Sequence, residues 1–276
     1  MISFVSIKIK IIFKMYKGKV VWITGASSGI GKALAMHYNK LGAFIILSAR
    51  KEETLLSVKH ELAYPDQSYI QVLDLEKSDE FVNMTAKIIS KFNTIDILIN
   101  NGGISQRSEV HETALDIDRK LMEINYFGNI ALTKAVLPYF RNQKSGHIIV
   151  ISSIAGKFGF YLRSAYAASK HALQGFYESL LLEEAKNNIY VTLAYPGKIN
   201  TDISVSALNS KGEKHGVMDH NQATGMSAEK CAQIIQVAQK KKKKSILVGN
   251  KEIKAVYLKR FLPSLFWKVI AKQSAT

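Results

Sequence analysis

Cysteine is almost missing from this chain. Cys231 is the single one in 276 residues, so no intrachain disulfide can form and a reducing compartment is indicated. Its setting, "SAEKCAQIIQVAQ", has helical periodicity, which gives the thiol a packing role. Proline is scarce, at positions 65, 138, 196 and 263. No Gly/Ser-rich or acidic tract divides the sequence and no internal repeat is visible, which favours one continuous domain over two. None of the seven histidines stands at a metal-like spacing, so no metal is expected. The leading stretch "MISFVSIKIKIIFKMYKGK" is cut by Lys8, Lys10 and Lys14. It therefore lacks the run of about 20 apolar residues that a bilayer span requires, and it has no small-residue cleavage site.

Acidic residues are also short in number. Against 38 Lys and Arg there are 22 Asp and Glu, a net charge of +16, with the excess at the two ends and in "KKKKK", Lys240 to Lys244. Such charge attracts nucleic acid, anionic lipid or a phosphorylated ligand. The lysine run suits a solvated helix end, and no base-reading or zinc-finger pattern accompanies it, so nucleic acid is not an expected partner. In the tail, Tyr257, Phe261, Phe266 and Trp267 are interleaved with Lys259, Arg260 and Lys268. That mixture suits either peripheral contact with an anionic membrane or packing against the body, and Pro263 divides it. The expected setting is cytoplasmic, with membrane association open through this tail.

What is present is a repeating pattern. "KGKVVWITGASSGIGKALAMHYNKLGAFIILSAR" reads as strand, glycine-rich turn, helix, strand, a βαβ unit. Strand-like runs recur at "SYIQVLDL", "IDILINNGG", "GHIIVISS", "IYVTLAYPG" and "SILVG", alternating with helical segments. The pattern predicts an α/β fold, a Rossmann-type doubly wound parallel sheet of about seven strands with helices on both faces. Residues 1–16 read as an extension, 17–250 as one nucleotide-binding catalytic domain with a polar loop at about 200–227 suited to a substrate lid, and 251–276 as the basic aromatic tail.

Ligands in such sheets bind at the carboxyl ends of the strands. The first strand ends in "TGASSGIG", where Gly25, Gly29 and Gly31 permit a tight turn and let the helix N-terminus at Ile30 approach a pyrophosphate with its free amides, to which Ser27 and Ser28 can add hydroxyl donors. The second ends in "LSAR". NAD-preferring sites place a carboxylate there, whereas Arg50 can pair with a 2′-phosphate, so the expected cofactor is NADP(H). Asp74 and Leu75 close the third strand, where a carboxylate can accept from an adenine amino group. Asn101 and Gly102 close the fourth.

On the chemical side, Ser153 follows the fifth strand, and Tyr166 and Lys170 share one helix face by their spacing of four. With TGASSGIG at 24–31, NNGG at 100–103, Asn125, Ser153, YAASK at 166–170 and PG at 196–197, the chain resembles the short-chain dehydrogenase/reductase family over about residues 17 to 250. The wording of "TDISVSAL", "HGVMD" and "AVYLKRFLPSLFW" is similar to the dehydrogenase/reductase member 7 and 7B subgroup. The resemblance implies a carbonyl reductase or alcohol dehydrogenase. Tyr166 would be the general acid or base, Lys170 would favour its phenolate and hold the nicotinamide ribose, Ser153 would donate to the developing oxyanion, and Asn125 would hold a water in a proton relay. It adds Pro196, Gly197, Ile199 and Thr201 to the cofactor contacts, and a homodimer or homotetramer paired through helices near 113–140 and 160–186. Its implied substrates are small, hydrophobic or lipid-like carbonyls. Gly102 departs from the family's alanine, which is expected to loosen that turn. A non-catalytic nucleotide sensor, or a lipid-surface binder, is the alternative on the same fold.

Overall fold

A computed structural model describes residues 15–273, so the part of the extension at 1–14 and the last three residues of the tail lie outside the described residues. The strands are β1 (Val20–Thr24), β2 (Phe44–Ser48), β3 (Ser68–Ile70), β4 (Ile97–Asn100), β5 (Gly146–Ile151), β6 (Ile189–Pro196), β7 (Ile199–Asn200), β8 (Met226–Ser227) and β9 (Ser245–Val248). The helices are α1 (Gly29–Lys40), α2 (Glu52–Glu61), α3 (Phe81–Phe92), α4 (Leu115–Met122), α5 (Gly128–Asn142), α6 (Ser164–Glu183), α7 (His220–Ala223), α8 (Ala228–Lys240), α9 (Lys254–Phe261) and α10 (Pro263–Ile270). Seven strands form one sheet in the order β3-β2-β1-β4-β5-β6-β9. All six pairings are parallel, as the strand and helix alternation predicts.

Parallel strands with helices on both faces must be apolar on both sides. Alternate residues of each strand therefore enter opposite cores. Val21 and Ile23 of β1 pack with Leu34 and Tyr38 of α1 and with Cys231 and Ile235 of α8. Trp22, on the other face, joins Phe81 of α3, Phe140 of α5 and Leu173 of α6. In α3, Phe81, Met84, Thr85 and Ile88 form the buried stripe, the spacing of one helix face. The helix ends at Asn93 in a left-handed conformation, which asparagine tolerates. Cys231 packs in the core, where burial pushes its thiol up to about 12. Tyr16 is also a core residue: its ring meets Tyr38 edge-on at 5.1 Å, its hydroxyl donates to Gln239 Oε1 at 2.6 Å, and it accepts from Gln236 Nε2.

Three features depart from the simple alternation. Only Ser68–Ile70 of "SYIQVLDL" is ladder-paired, although the amides of Gln71 and Leu73 still donate to Leu47 and Ala49. The long helical stretch after β4 is broken into α4 and α5 by a π-turn, Glu123–Phe127, that carries Asn125. Last, β7 and β8 pair as a separate parallel ribbon, which pins both ends of the segment 201–225 beside the carboxyl edge of the main sheet. The tail folds back on the body. Phe266 is 1% exposed and meets Phe158 edge-on at 5.2 Å, Lys259 Nζ donates to the Lys157 carbonyl and Tyr161 donates to that of Ala271. Leu262, held out of the helical region before Pro263 as prolyl sterics require, separates α9 from α10.

A buried polar cluster joins β4, α5 and α6. Asn100 Nδ2 donates to Thr133 Oγ1 and to the Tyr177 hydroxyl, which is also bonded to Asn129 Oδ1 at 2.5 Å. A Tyr177→Phe substitution strands these groups without changing shape. We expect a loss of about 1–3 kcal/mol in urea unfolding with kcat nearly unchanged; undiminished stability would contradict the role given to this cluster.

Candidate functional site

The sheet order reverses between β1 and β4, so the loops that follow these strands part and leave a cleft. Gly25 and Gly29 adopt positive φ of 63° and 52°. A Cβ on Gly25 would stand 2.8 Å from Asn101 Nδ2, so the turn is built on close backbone approach. Thr24 Oγ1 accepts the amides of Asn101 (3.0 Å) and Gly102 (2.9 Å), and Asn101 Nδ2 donates back to the carbonyls of Thr24 and Gly25. The turn at Gly102 is therefore not loose. Leu75 Cδ1 lies 2.8 Å from where a Cβ at 102 would stand, filling the space that the missing methyl leaves. Helix α1 begins immediately after Ser28, with no side-chain cap and no acid in its first turn. Its positive dipole end is left to an anion from outside.

That end opens into a cavity of about 1580 Å³. Gly25, Ser27, Ser28, Gly29, Ile30, Arg50, Asp74, Leu75, Asn101, Gly102, Pro196, Gly197, Ile199 and Thr201 line it, as do Ser153, Tyr166 and Lys170. Two sequence candidates stand behind the wall. Gly31 packs against the Gly25 carbonyl and Asn101, where any side chain would drive α1 off the turn. Asn125 is fully buried; its Oδ1 accepts from Ile104 N–H at 2.8 Å, and its Nδ2 donates to the Ile104 carbonyl and Ser169 Oγ. The π-turn aims this amide at the backbone that leaves β4, and π-turns recur at functional positions for this kind of re-aiming.

Tyr166 and Lys170 begin the buried stripe 166, 170, 173, 177 and 180 of α6. The spacing that packs this helix on the sheet also points the pair inward. Lys170 Nζ donates to the Ile151 carbonyl at 2.9 Å and lies 5.8 Å from the centroid of the Tyr166 ring. Burial lowers its ammonium to about 8. The Tyr166 phenol is raised by burial, and this is partly offset by a hydrogen bond with Ser153 and by the charges of Arg107 and Arg163. Ser153 Oγ also accepts the Ala155 amide at 3.1 Å. Electrostatically, the two arginines do part of the tuning that the sequence reading gives to the lysine.

Sequence reasoning did not find four residues around this pair. Gln106 Oε1 accepts the Ala165 amide at 2.9 Å and so caps α6 from a distant loop. Arg107, Arg163 and Asp219 form a buried ion cluster beside it. No spacing signals them, because Arg107 and Asp219 are 112 residues apart; only the position of Arg163 just before "SAYAASK" was a hint.

The chain is similar to known proteins over most of its length. The family model described as short chain dehydrogenase matches residues 19–212. The chain is 43% identical to a Drosophila melanogaster protein, "Dehydrogenase/reductase SDR family protein 7-like", over 93% of its own length and 81% of that protein's. It is 41% identical to the Mus musculus "Dehydrogenase/reductase SDR family member 7B", with coverages of 94% and 82%. Among solved structures it is similar to a metagenomic short-chain oxidoreductase in complex with NADP, at a TM-score of 0.70 and 27% identity, over 84% of this chain and 97% of the other.

The depressed Lys170 ammonium has a consequence for stability. From about 8 to its unfolded value of 10.5, the unfolded chain binds more protons than the folded one at this position, so the position contributes more stability as pH rises. Urea unfolding of the wild type and of Lys170→Met, compared at pH 7.5 and 9.5, should show the difference moving toward the wild type by about 2 kcal/mol. A pH-independent difference would count against the burial of this ammonium.

Proposed function

The chain belongs to the short chain dehydrogenase family, in its dehydrogenase/reductase member 7 and 7B subgroup, and on that premise we propose that it is an NADPH-dependent oxidoreductase that interconverts a hydrophobic, lipid-like carbonyl and its secondary alcohol. Oxidoreductase chemistry with a nicotinamide cofactor is common to the family. The observation that carries the reading is one cavity that holds both the uncapped start of α1 and the hydrogen-bonded Tyr166 and Ser153 hydroxyls.

The residues fit a dinucleotide. Glycine at 25 and 29 keeps side chains out of the turn, the first amides of α1 would take the pyrophosphate, and Asp74 and Leu75 lie where an adenine would rest. Arg50 and Lys51 at the end of β2, in place of a carboxylate, support a 2′-phosphate. Lys170 would hold the nicotinamide ribose. When bound, the cofactor supplies or accepts the hydride. The protein supplies the proton: Tyr166 Oη gives it to the carbonyl oxygen, Ser153 Oγ donates a hydrogen bond to the same oxygen as charge develops, and Lys170 stabilises the phenolate left behind. Asn125 fixes the loop backbone beside that lysine, since its Oδ1 and Lys170 Nζ both border Gly103.

The apolar character of the substrate is read from the far wall. Phe158, Phe160, Leu208, Leu258, Phe261, Leu262 and Ile270 line it, from the segments after β5 and β7 and from the tail. Such a wall excludes water and accepts chains or rings by burial alone. Among the described residues no helix is long and apolar enough to cross a membrane. Peripheral contact is proposed for the tail, where Phe261 (70% exposed) and Trp267 (56% exposed) stand beside Lys268. A homodimer or homotetramer paired through α4, α5 and α6 is proposed from the family likeness.

Tyr166→Phe should lower kcat for NADPH-driven reduction of lipid ketones by about 10²-fold or more while NADPH binding persists; normal turnover in this variant would sink the assignment. Arg50→Ala should raise the KM for NADPH about tenfold or more and leave that for NADH nearly unchanged. Equal loss with both cofactors would remove Arg50 from phosphate recognition.

A further inference from the structure

The segment 201–225 leaves the small ribbon at β7, lines the cavity through Asp202, Ile203, Ser206, Leu208 and Asp219, and returns to the ribbon at β8. Most of its polar groups face solvent or each other, but the Asp219 side chain is 1% exposed. Its carboxylate accepts from Arg107 Nε at 3.0 Å, from Arg107 Nη2, and from Arg163 Nη2 at 3.0 Å; its backbone amide donates to Ser204 Oγ at 3.1 Å. Arg107 is itself fixed, donating to Ser105 Oγ and to the Gln106 carbonyl. A short bridge completes the join, with Leu208 N–H donating to the Ser105 carbonyl and Arg107 N–H to that of Leu208. Three separate stretches of chain thus meet at one carboxylate: the loop after β4, the residue before α6, and the segment over the cavity.

Buried ions rarely add net stability, because desolvation offsets their attraction, whereas loss of one member leaves an uncompensated charge. Two buried cations sharing one anion in a reaction cavity are therefore a poor way to stabilise a fold, yet they make an effective catch. Arg163 is also only three residues ahead of Tyr166, less than one helical turn away. We infer that Asp219 is a positioning residue that latches the 201–225 segment closed over the cavity and, by neutralising one of two arginine charges, sets the electrostatic field at Tyr166. The second half rests on the reading of Tyr166 as the proton donor; the first does not.

The groups that bear on the phenol are Lys170 from its own helix, Arg163 from the start of that helix, Arg107 from the loop after β4, Ser153 after β5, and Asp219 beside the arginines. Arg107 and Arg163 favour phenolate. Removing the Asp219 charge strengthens their effect, and removing Arg107 weakens it. The two changes therefore push the midpoint of tyrosine titration in opposite directions.

The test uses the full chain and three variants, Asp219→Asn, Asp219→Glu and Arg107→Gln, each first checked by circular dichroism and NADPH binding. Trypsin cleavage at the exposed Lys211 and Lys214 reads the latch without reference to turnover. It should quicken about tenfold or more in Asp219→Asn and Arg107→Gln, and return toward the wild-type rate in Asp219→Glu. The pH profile of alcohol oxidation should shift its midpoint about half a unit or more to lower pH in Asp219→Asn and to higher pH in Arg107→Gln. Unchanged cleavage overturns the latch. Midpoints of Asp219→Asn and Arg107→Gln that move together, or not at all, overturn the electrostatic role. If Asp219→Asn does not fold, Arg163→Gln replaces it, with faster cleavage and a midpoint raised as in Arg107→Gln; a midpoint that stays or falls in Arg163→Gln then overturns that role. Faster cleavage in a protein whose wild type reduces no carbonyl would refute the reductase reading and leave the latch standing.

Discussion

The hydroxyl of Thr24 holds the two halves of this molecule in register. It is one atom at the end of β1, and it accepts two amides from the chain leaving β4. Those two strands are neighbours in the sheet although their crossovers run in opposite directions, so nothing in local sequence ties their ends together. Without the tie, the glycine turn and the Asn101 loop would diverge independently. With it, Gly25, Asn101 and Gly102 form a single floor, and α1 starts at a fixed distance from the chemistry on α6. The glycines matter for the same reason: Gly25 and Gly31 are occupied by close backbone and Asn101 contacts where a side chain would otherwise be.

Burial creates the second constraint, and charge answers it. The phenol and the ammonium are both nearly excluded from water, and desolvation pushes each toward its neutral form, the phenol up and the ammonium down. Left there, the phenol would give up its proton poorly at neutral pH. Ser153 and the two arginines work against burial at the phenol, and Asp219 limits how far they do so. Under the proposed function, this site balances a dry cavity against cations placed near enough to keep the phenolate accessible.

Much of this was legible from the sequence for a physical reason. The sheet, its two cores and the inward stripe of α6 arise from periodicities of 2 and 3.6, which are local. The glycine turn is local too, as is the Tyr166 and Lys170 spacing. What was hidden depends on contacts between distant segments. Asn125 reads as the holder of a relay water, but no local spacing signals the π-turn inside the long helix that bonds its side chain to the Ile104 backbone. Gly102 reads as a slackened turn, yet Leu75 from the chain that follows β3 fills the gap. The Arg107, Asp219 and Arg163 cluster has no signature at all, since its members become neighbours only after the sheet places the three segments along one edge.

The tail is the clearest case of two readings that do not exclude each other. Phe266 is sealed against Phe158, the Lys157 carbonyl accepts from Lys259 Nζ and the Tyr161 hydroxyl donates to the Ala271 carbonyl, so the tail belongs to the body. Yet α9 and α10 spend only part of their apolar surface there. Tyr257, Leu258, Phe261 and Ile270 border the cavity while Leu265 and Trp267 are exposed away from it, and a surface this apolar is rarely left bare at the rim of a pocket. Two short helices broken at Pro263 can present both faces because neither is committed to a groove. A long single helix would have to bury one stripe and expose the other. The break therefore lets one short segment line the cavity and present apolar side chains outward at the same time.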